Sequence, residues 1–366
     1  MIKVTLTNEI LRYITEIEQN RYKVSSVKLS KTVMNKLRKN SKKKSSYASN
    51  KIEGNPLSEK QVDEVIESDE RKHYLKPEQE VRNYFLALNY LEEKVSKKEK
   101  FSTKLILDVQ KLVEKGASKE KIGLRGSMPP GVLFAVYDSK TGNPDYIPPE
   151  YCDIPGLLDE LVEYVNTTDD HPLIVAAVVH YQLVTIHPFE DGNGRTARLL
   201  SGYIMDLNGY GFNGIESLEE YFAYDIDEYY ESIQMGLPAL YYSGRENPPH
   251  PEIWINYFLR MVKLYSGKVC DLQLASEEED ITGSLSFLKG KEKELLQFLI
   301  KNYKGEFTPI EVSRKLSVTN KTIINRLAVL VKNGFVVPIL VNERIRSYEL
   351  SEFTRGHEKE IIKVIS

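Results

Sequence analysis

The 366-residue sequence predicts a mainly α-helical protein, a helical core interrupted by one β-hairpin flap, with a small winged-helix domain at its C-terminal end. Three observations predict this. Apolar residues recur at spacings of three and four through most of residues 1–265, as amphipathic helices require. One stretch between Gly123 and Pro149 breaks that period with the β-formers VLFAVYD, the turn text SKTGNPD and then YIPPE. Beyond about residue 285 the order changes to three amphipathic segments followed by two strand-like runs.

The first hundred residues read as helical. Between Val27 and Ser45, Leu29, Val33, Met34 and Leu37 keep a helical spacing and then give way to lysines, which reads as a short helix ending in a water-facing charge run. LSEKQVDEVIESDE from Leu57, and PEQEVRNYFLALNYLEEKV after it, carry the same period. In the middle of the chain, Thr103 to Lys115, Ile154 to Val165, His171 to Ile186, Thr196 to Leu207 and Ile253 to Tyr265 repeat it or are apolar throughout. Residues 271–290, with SEEEDITGS, read as a linker. Then EKELLQFLIKNY, TPIEVSRKLSV and TNKTIINRLAVLVKNGF make three helices; Thr308 and Thr319 are cap-like starts and Gly334 is a stop. VVPILV and RIRSYEL follow as strands, and helix, helix, helix, hairpin is the order of a winged helix-turn-helix. The expected division is an N-terminal helical region at 1–100, a core at 101–270 and the winged module at 285–366.

Composition narrows the class. With 41% hydrophobic and 28% charged residues the chain is an ordinary globular one. Its longest apolar run, Pro172 to Val179, falls far short of the roughly 20 residues of a membrane-spanning helix, so no membrane partner is expected. MIKVTLTNEILRY offers no small-residue cleavage site, and the two cysteines, Cys152 and Cys270, cannot build a disulfide scaffold, so a reducing, cytoplasmic setting is expected. A net charge of −3 argues against nonspecific nucleic-acid binding by the whole chain.

The text that carries chemistry is His187 to Arg198, HPFEDGNGRTAR, between an apolar helix and an amphipathic one. A Gly-Asn-Gly turn opening a helix, Gly192, Asn193 and Gly194, presents backbone amides without intrahelical partners and the positive end of the helix dipole, a cradle for phosphate. Arg195 and Arg198 lie three apart, on one face, and their forks suit phosphate oxygens. Asp191, just before the turn, is placed to hold Mg2+ beside a polyphosphate. His187 is the group in the motif that accepts a proton near neutrality. Together they suit transfer from a bound nucleotide to a deprotonated hydroxyl.

At these residues the sequence resembles the Fic family, whose signature is HPF, any residue, Asp or Glu, GNGR, two residues, Arg; all nine fixed positions are present. A weaker resemblance extends over roughly residues 30 to 265. It implies a Fic-type helical core and an adenylyltransferase that moves AMP from ATP to a Ser, Thr or Tyr hydroxyl of a target protein, or of itself. His187 would then be the base and Asp191 the Mg2+ ligand. Gly192 to Gly194 would cradle the α-phosphate, and Arg195 and Arg198 would contact the β- and γ-phosphates. Phe189 would anchor the loop.

Upstream, SNKIEG places Ser49 and Glu53 at i and i+4 on one helical face, with Gly54 and Pro56 as a stop. The text matches the family's inhibitory pattern, which implies an inhibitory helix at about 45–55 whose Glu53 pairs with Arg198 and disfavours the nucleotide. The same residue leaves AMP removal open as a reverse activity. The resemblance also implies that Leu133, Phe134, Ala135, Val136 and Tyr137 form a flap that aligns target backbone as an added strand. It places Tyr229 or Tyr230 against adenine; core packing explains either tyrosine equally well.

Other features read as structural. His180, seven residues before His187, is expected as a hydrogen-bonded core histidine rather than a zinc ligand, since no third ligand stands at a metal-site spacing. From Lys289 to Ser366 there are fifteen Lys plus Arg against nine Asp plus Glu, a local +6. Lys321, Thr322, Asn325 and Arg326 near the start of the third helix suit a major groove, while docking and dimerisation, including a homodimer, are the other uses of such a module. Two alternatives to an AMP transferase stay open: a nucleotide-sensing DNA-binding regulator with little turnover, and a transferase that uses another nucleotide donor.

Overall fold

The structure, a computed structural model, describes residues 2–27, 29, 31–68, 71, 73–118, 122–137, 142–237, 248–341 and 344–365. Helices dominate, in the order α1 (Asn8–Ser26), α2 (Lys31–Ile52), α3 (Glu59–Glu67), α4 (Lys76–Ser96) and α5 (Thr103–Glu114), then the strands β1 (Val136–Tyr137) and β2 (Pro144–Tyr146). α6 (Ile154–Thr167), α7 (Pro172–Ile186), α8 (Asn193–Leu207), α9 (Glu219–Tyr224), α10 (Ile226–Gln234) and α11 (Pro251–Ser286) follow. Among the described residues no helix is long and apolar enough to cross a membrane. The chain divides into two compact units, Met1–Arg21 with Leu37–Val269, and Tyr22–Lys36 with Cys270–Ser366. Residues 1–100 therefore do not stand apart as a region of their own; most of them fold with the core.

In the larger unit, α7 is apolar on every side, and its residues from Leu173 to Leu183 are all buried. A helix with no polar face has no surface to offer water, so it becomes the central rod. Capping agrees with the chain text. Pro172 occupies the first turn of α7 after His171, Ser102 caps α5, and Ser58 with Gln61 forms a capping box on α3. Trp254 on α11 is fully buried and donates from its indole nitrogen to the Ala177 carbonyl at 2.8 Å, so one residue fastens α11 to α7 by packing and by a hydrogen bond. Trp254→Ala should lower the unfolding free energy by about 3–5 kcal/mol. A urea titration reads this, and a loss below about 1 kcal/mol would show that the contact does not hold α11.

The smaller unit contains α12 (Gly290–Asn302), α13 (Pro309–Leu316), α14 (Asn320–Lys332), the antiparallel pair β3 (Val336–Val341) and β4 (Arg344–Leu350), α15 (Glu352–Gly356) and α16 (Glu358–Ile365). Thr308 and Thr319 accept from the third amides of α13 and α14, as caps do. Leu296, Leu299, Val312, Ile323, Leu327, Leu330 and Phe335 fill its core. This is the helix, helix, helix, hairpin order that the sequence predicts, with two short helices added at the end.

Three expectations are corrected. The linker expected at 271–290 is helical as far as Ser286, because Ala, Ser and Glu without a proline do not stop a helix that Trp254 has anchored upstream. The lysine run faces water only in part: Lys36 and Lys39 are exposed, but the end of the run is covered. Lys43 is 8% exposed and bonds Glu67 at 2.8 Å; Lys42 reaches Asn89 and Glu92, and Lys44 reaches Glu216 and Glu220. Carboxylates distant in sequence meet this face of α2, and burial against the lysine stems follows. In the flap, only Val136 and Tyr137 pair with β2, in an irregular register, while Leu133, Phe134 and Ala135 have no regular structure. Of the expected turn SKTGNPD, at 139–145, residues 139–141 lie outside the described residues.

Candidate active site

α7 ends at His187, whose backbone adopts the left-handed conformation, φ 48°. That is unusual for a histidine, and such strain persists only where the surroundings impose it. The chain then turns through Phe189, buried in the core, and Asn193 laces the turn closed. Asn193 donates from Nδ2 to the Phe189 carbonyl at 2.9 Å and accepts at Oδ1 from the Phe189 amide at 3.0 Å. Gly192, φ 82°, caps α8 and opens a helix N-terminus at the end of the loop. Arg125 fixes the other side, with its amide on the Pro188 carbonyl at 2.9 Å and Nε on the His187 carbonyl at 2.8 Å. The loop is held from both flanks before any ligand arrives.

His187 is half-buried, and its Nδ1 lies 3.3 Å from the Val184 carbonyl. A carbonyl only accepts, so Nδ1 carries the proton in the neutral ring and Nε2 keeps the lone pair. Burial lowers the imidazole pKa to about 4; the Val184 carbonyl opposes that shift and Arg125 adds to it. Phe134 of the flap lies 5.9 Å from the imidazole, centroid to centroid, and the Arg125 guanidinium sits 4.7 Å from the Phe134 ring centre. Of the expected flap residues, Phe134 is therefore the one brought against His187.

Arg198 is almost completely enclosed, its side chain 1% exposed. Its Nε donates to Ser49 Oγ at 2.8 Å, and its Nη2 donates to the Ser49 carbonyl at 3.0 Å and to Glu53 Oε1 at 2.6 Å. α2 delivers both partners. After Ile52 the chain turns at Gly54, φ 81°, and the Asn55 amide reaches back to the Asn50 carbonyl, a helix ending that leaves Glu53 projecting toward α8. A Cβ at Gly194 would stand 2.4 Å from Glu53 Oε1, so this carboxylate lies directly on the first turn of α8. A helix N-terminus favours an anion there, and in this structure the anion is Glu53. α2 is pinned by Ser41 on the Glu216 carbonyl at 2.7 Å and Ser45 on Glu219 at 2.7 Å; Tyr84 also donates to Glu219, at 2.9 Å.

Tyr229 is placed differently from the expected adenine contact. It is 1% exposed, and its hydroxyl meets His180 Nε2 at 2.8 Å and accepts from Arg198 Nη1 at 3.3 Å. A ring enclosed on all sides has no face left for a base. His180 is itself fully buried, a core histidine with Tyr229 and Ser201 as partners, and burial, with Arg198 adding to it, lowers its pKa well below the ordinary value. Tyr230 is 43% exposed beside the Ile52 carbonyl, and it is the one of the two with an open ring.

Asp191 takes the Gly192 amide at 2.8 Å and Arg195 Nη2 at 3.2 Å on one oxygen, Oδ1. Among the described residues no group of three His, Cys, Asp or Glu side chains is arranged to hold a metal ion. A single carboxylate beside a helix N-terminus, 30% exposed at its side chain, is the kind of ligand that Mg2+ completes with phosphate oxygens and water. Glu114 at the end of α5, absent from the sequence expectations, accepts from Arg195 Nη2 at 2.9 Å and has a fully buried side chain. Burial lifts its carboxyl to about 7; Arg195 opposes the shift and Asp191 adds to it. Its one signal in the chain is that Gln110 and Glu114 stand at i and i+4 on the buried face of α5, where the period calls for apolar residues.

Residues 100–205 match the family model of the Fic/DOC family. The chain is 31% identical over 153 residues to protein adenylyltransferase fic-1 of Caenorhabditis briggsae, a match covering 40% of this chain and 27% of that protein. Over 208 residues it is 27% identical to protein adenylyltransferase Fic of Drosophila mojavensis, covering 54% and 38%. The chain thus spans well under half the length of these relatives. Its fold is similar to a Fic family protein from Desulfovibrio desulfuricans G20 (TM-score 0.60, 19% identity, 96% of this chain and 98% of that one). It is also similar to residues 134–508 of Fic-1 from C. elegans (TM-score 0.55, 24% identity, 73% and 72%).

Proposed function

From the match of residues 100–205 to the Fic/DOC family model, we propose that this chain is a protein adenylyltransferase that moves AMP from ATP to a hydroxyl side chain of a target protein and is held inactive by its own Glu53. The observation that carries it is the 2.6 Å ion pair between Glu53 and Arg198, set over the glycine turn that opens α8. The adenylyltransferases that share part of its sequence support the reaction class.

In the mechanism, the amides at the start of α8 and the Arg195 and Arg198 guanidiniums neutralise the triphosphate. His187 Nε2 takes the proton from the target hydroxyl. The hydroxyl oxygen forms a bond to the α-phosphorus as the bond from that phosphorus to the bridging oxygen breaks, and pyrophosphate leaves. Mg2+ held by Asp191 would supply charge neutralisation on the phosphates. Phe134 lies against His187 on the side where a target segment would lie, with Val136 and Tyr137 following it in the flap; Tyr230 would offer a ring to adenine. The decisive experiment incubates a lysate with labelled ATP and the Glu53→Gly protein and identifies modified residues by mass spectrometry. If the spectra contain no AMP-bearing Ser, Thr or Tyr, the proposed activity is wrong.

For the smaller unit we favour protein docking over DNA contact. Lys321 and Asn325 face solvent on α14, but Ile324 between them is 42% exposed, and the hairpin exposes Leu340 (60%) and Ile345 (53%). A groove-reading surface is dominated by cations and polar groups, not by apolar tips. A gel-shift series with genomic fragments should show no complex at low salt. A shift that weakens as salt rises would assign the unit to DNA instead.

A further inference from the structure

Arg195 and Asp191 are four residues apart at the start of α8, the spacing at which a guanidinium fork can close on a carboxylate with two parallel hydrogen bonds. Here it does not. One nitrogen, Nη2, is divided between Glu114 Oε1 at 2.9 Å and Asp191 Oδ1 at 3.2 Å. Nε and Nη1 of Arg195, both buried, have no hydrogen-bond partner among the described residues, and neither does Glu114 Oε2. Glu114 therefore competes with Asp191 for the same nitrogen, and the fork does not close on Asp191 with both arms.

The position of Glu114 is itself fixed. The carbonyls on either side of it, Val113 and Lys115, both accept from Asn83 Nδ2 at 2.8 Å. One turn earlier on α5, Gln110 donates to the Asp191 carbonyl at 3.3 Å and accepts from the Gly123 amide at 3.0 Å. A Cβ at Gly192 would stand 2.7 Å from Glu114 Oε1, so the glycine that caps α8 is required by this carboxylate as well as by its own φ of 82°. Enclosing a carboxylate with a single hydrogen-bonded partner is costly, and the helix would pack as well with an apolar residue at that position.

Taking the transferase role as premise, we propose that Glu114 is a positioning residue: by sharing Arg195 Nη2 it limits the guanidinium to a single hydrogen bond with Asp191 and so preserves the Asp191 carboxylate for the divalent cation. Without it, Arg195 closes on Asp191 with both arms of its fork, and the cation loses its protein ligand.

The test uses the full chain in the Glu53→Gly background with His187→Ala added, so that nothing turns over and binding alone is read. ATP affinity is measured by calorimetry with and without Mg2+, and Mn2+ uptake by electron paramagnetic resonance. Glu114→Met, of similar volume and without an acceptor oxygen, should raise the metal concentration at half-saturation about tenfold, the usual scale for removing a group that orients a metal ligand. Glu114→Gln, which retains an acceptor for Nη2, should recover most of that loss, and it decides the matter if the methionine variant does not fold. In an Asp191→Ala background neither substitution should change metal dependence further. A folded Glu114→Met protein with unaltered metal dependence, or a Gln variant as impaired as the Met one, overturns the proposal. If the parent protein shows no metal-dependent ATP binding at all, it is the transferase role that fails.

Discussion

Glu53→Gly should raise AMP transfer, to the chain itself or to proteins in a lysate, by about 10²-fold, the scale associated with restoring one buried donor to a developing anion. Two effects act in the same direction. The substitution frees Arg198 Nη2, now bound to Glu53 Oε1 at 2.6 Å, for the terminal phosphate. It also removes a negative charge from the first turn of α8, where the carboxylate oxygen stands close to Gly194. Two unit charges about 4 Å apart near a protein surface repel by about 4 kcal/mol, and half of that already exceeds a tenfold change in affinity. The arginine should not collapse when its partner goes, because Ser49 and Tyr229 still hold Nε and Nη1. Glu53→Gln separates the two effects, since it keeps an acceptor and drops the charge, and intermediate activity is expected. Labelled ATP with gel autoradiography checks both variants. Labelling no stronger than that of the parent would remove Glu53 from the control of this site.

How far the sequence foretells the site depends on the distance over which each contact forms. The turn from His187 to Arg198 is local: the glycines, the helix start and the flanking apolar α7 all lie within one continuous stretch, so spacing alone places them. Ser49 and Glu53 share a helical face, and their spacing is visible, but their meeting with Arg198 across 145 to 149 residues is a tertiary fact. Glu114 escapes the sequence for the same reason. It is one charged residue far from the motif, and periodicity says which face is buried but not what it meets. The lysines of α2 were misjudged in the opposite sense, because a charge run faces water unless carboxylates from elsewhere cover it, and Glu67, Glu92, Glu216 and Glu220 do. Tyr229 illustrates a third limit. An aromatic residue on an amphipathic helix suits the core and a ligand alike, and only its burial against His180 and Arg198 separates the two.

His187→Ala in the Glu53→Gly protein should lower transfer by about 10²- to 10⁴-fold, the range for loss of a general base, while ATP still binds. Binding should survive because the His187 Nδ1 is tied to Val184, and in the proposed site the phosphate groups would be met by α8 and the two arginines. Calorimetry and labelling on the same sample separate these quantities, and retained labelling would show that another group accepts the proton. The pH profile sharpens the assignment. With the His187 pKa lowered to about 4, the ring is neutral and able to accept a proton throughout pH 5.5 to 8, so the rate should be nearly level between pH 7.5 and 6 and fall only toward pH 4. A histidine at its ordinary value of about 6.5 would lose roughly three quarters of its neutral form by pH 6. An acid limb centred near 6.5 would therefore mean that His187 is open to water in the working enzyme, and that Phe134 and Arg125 do not enclose it there.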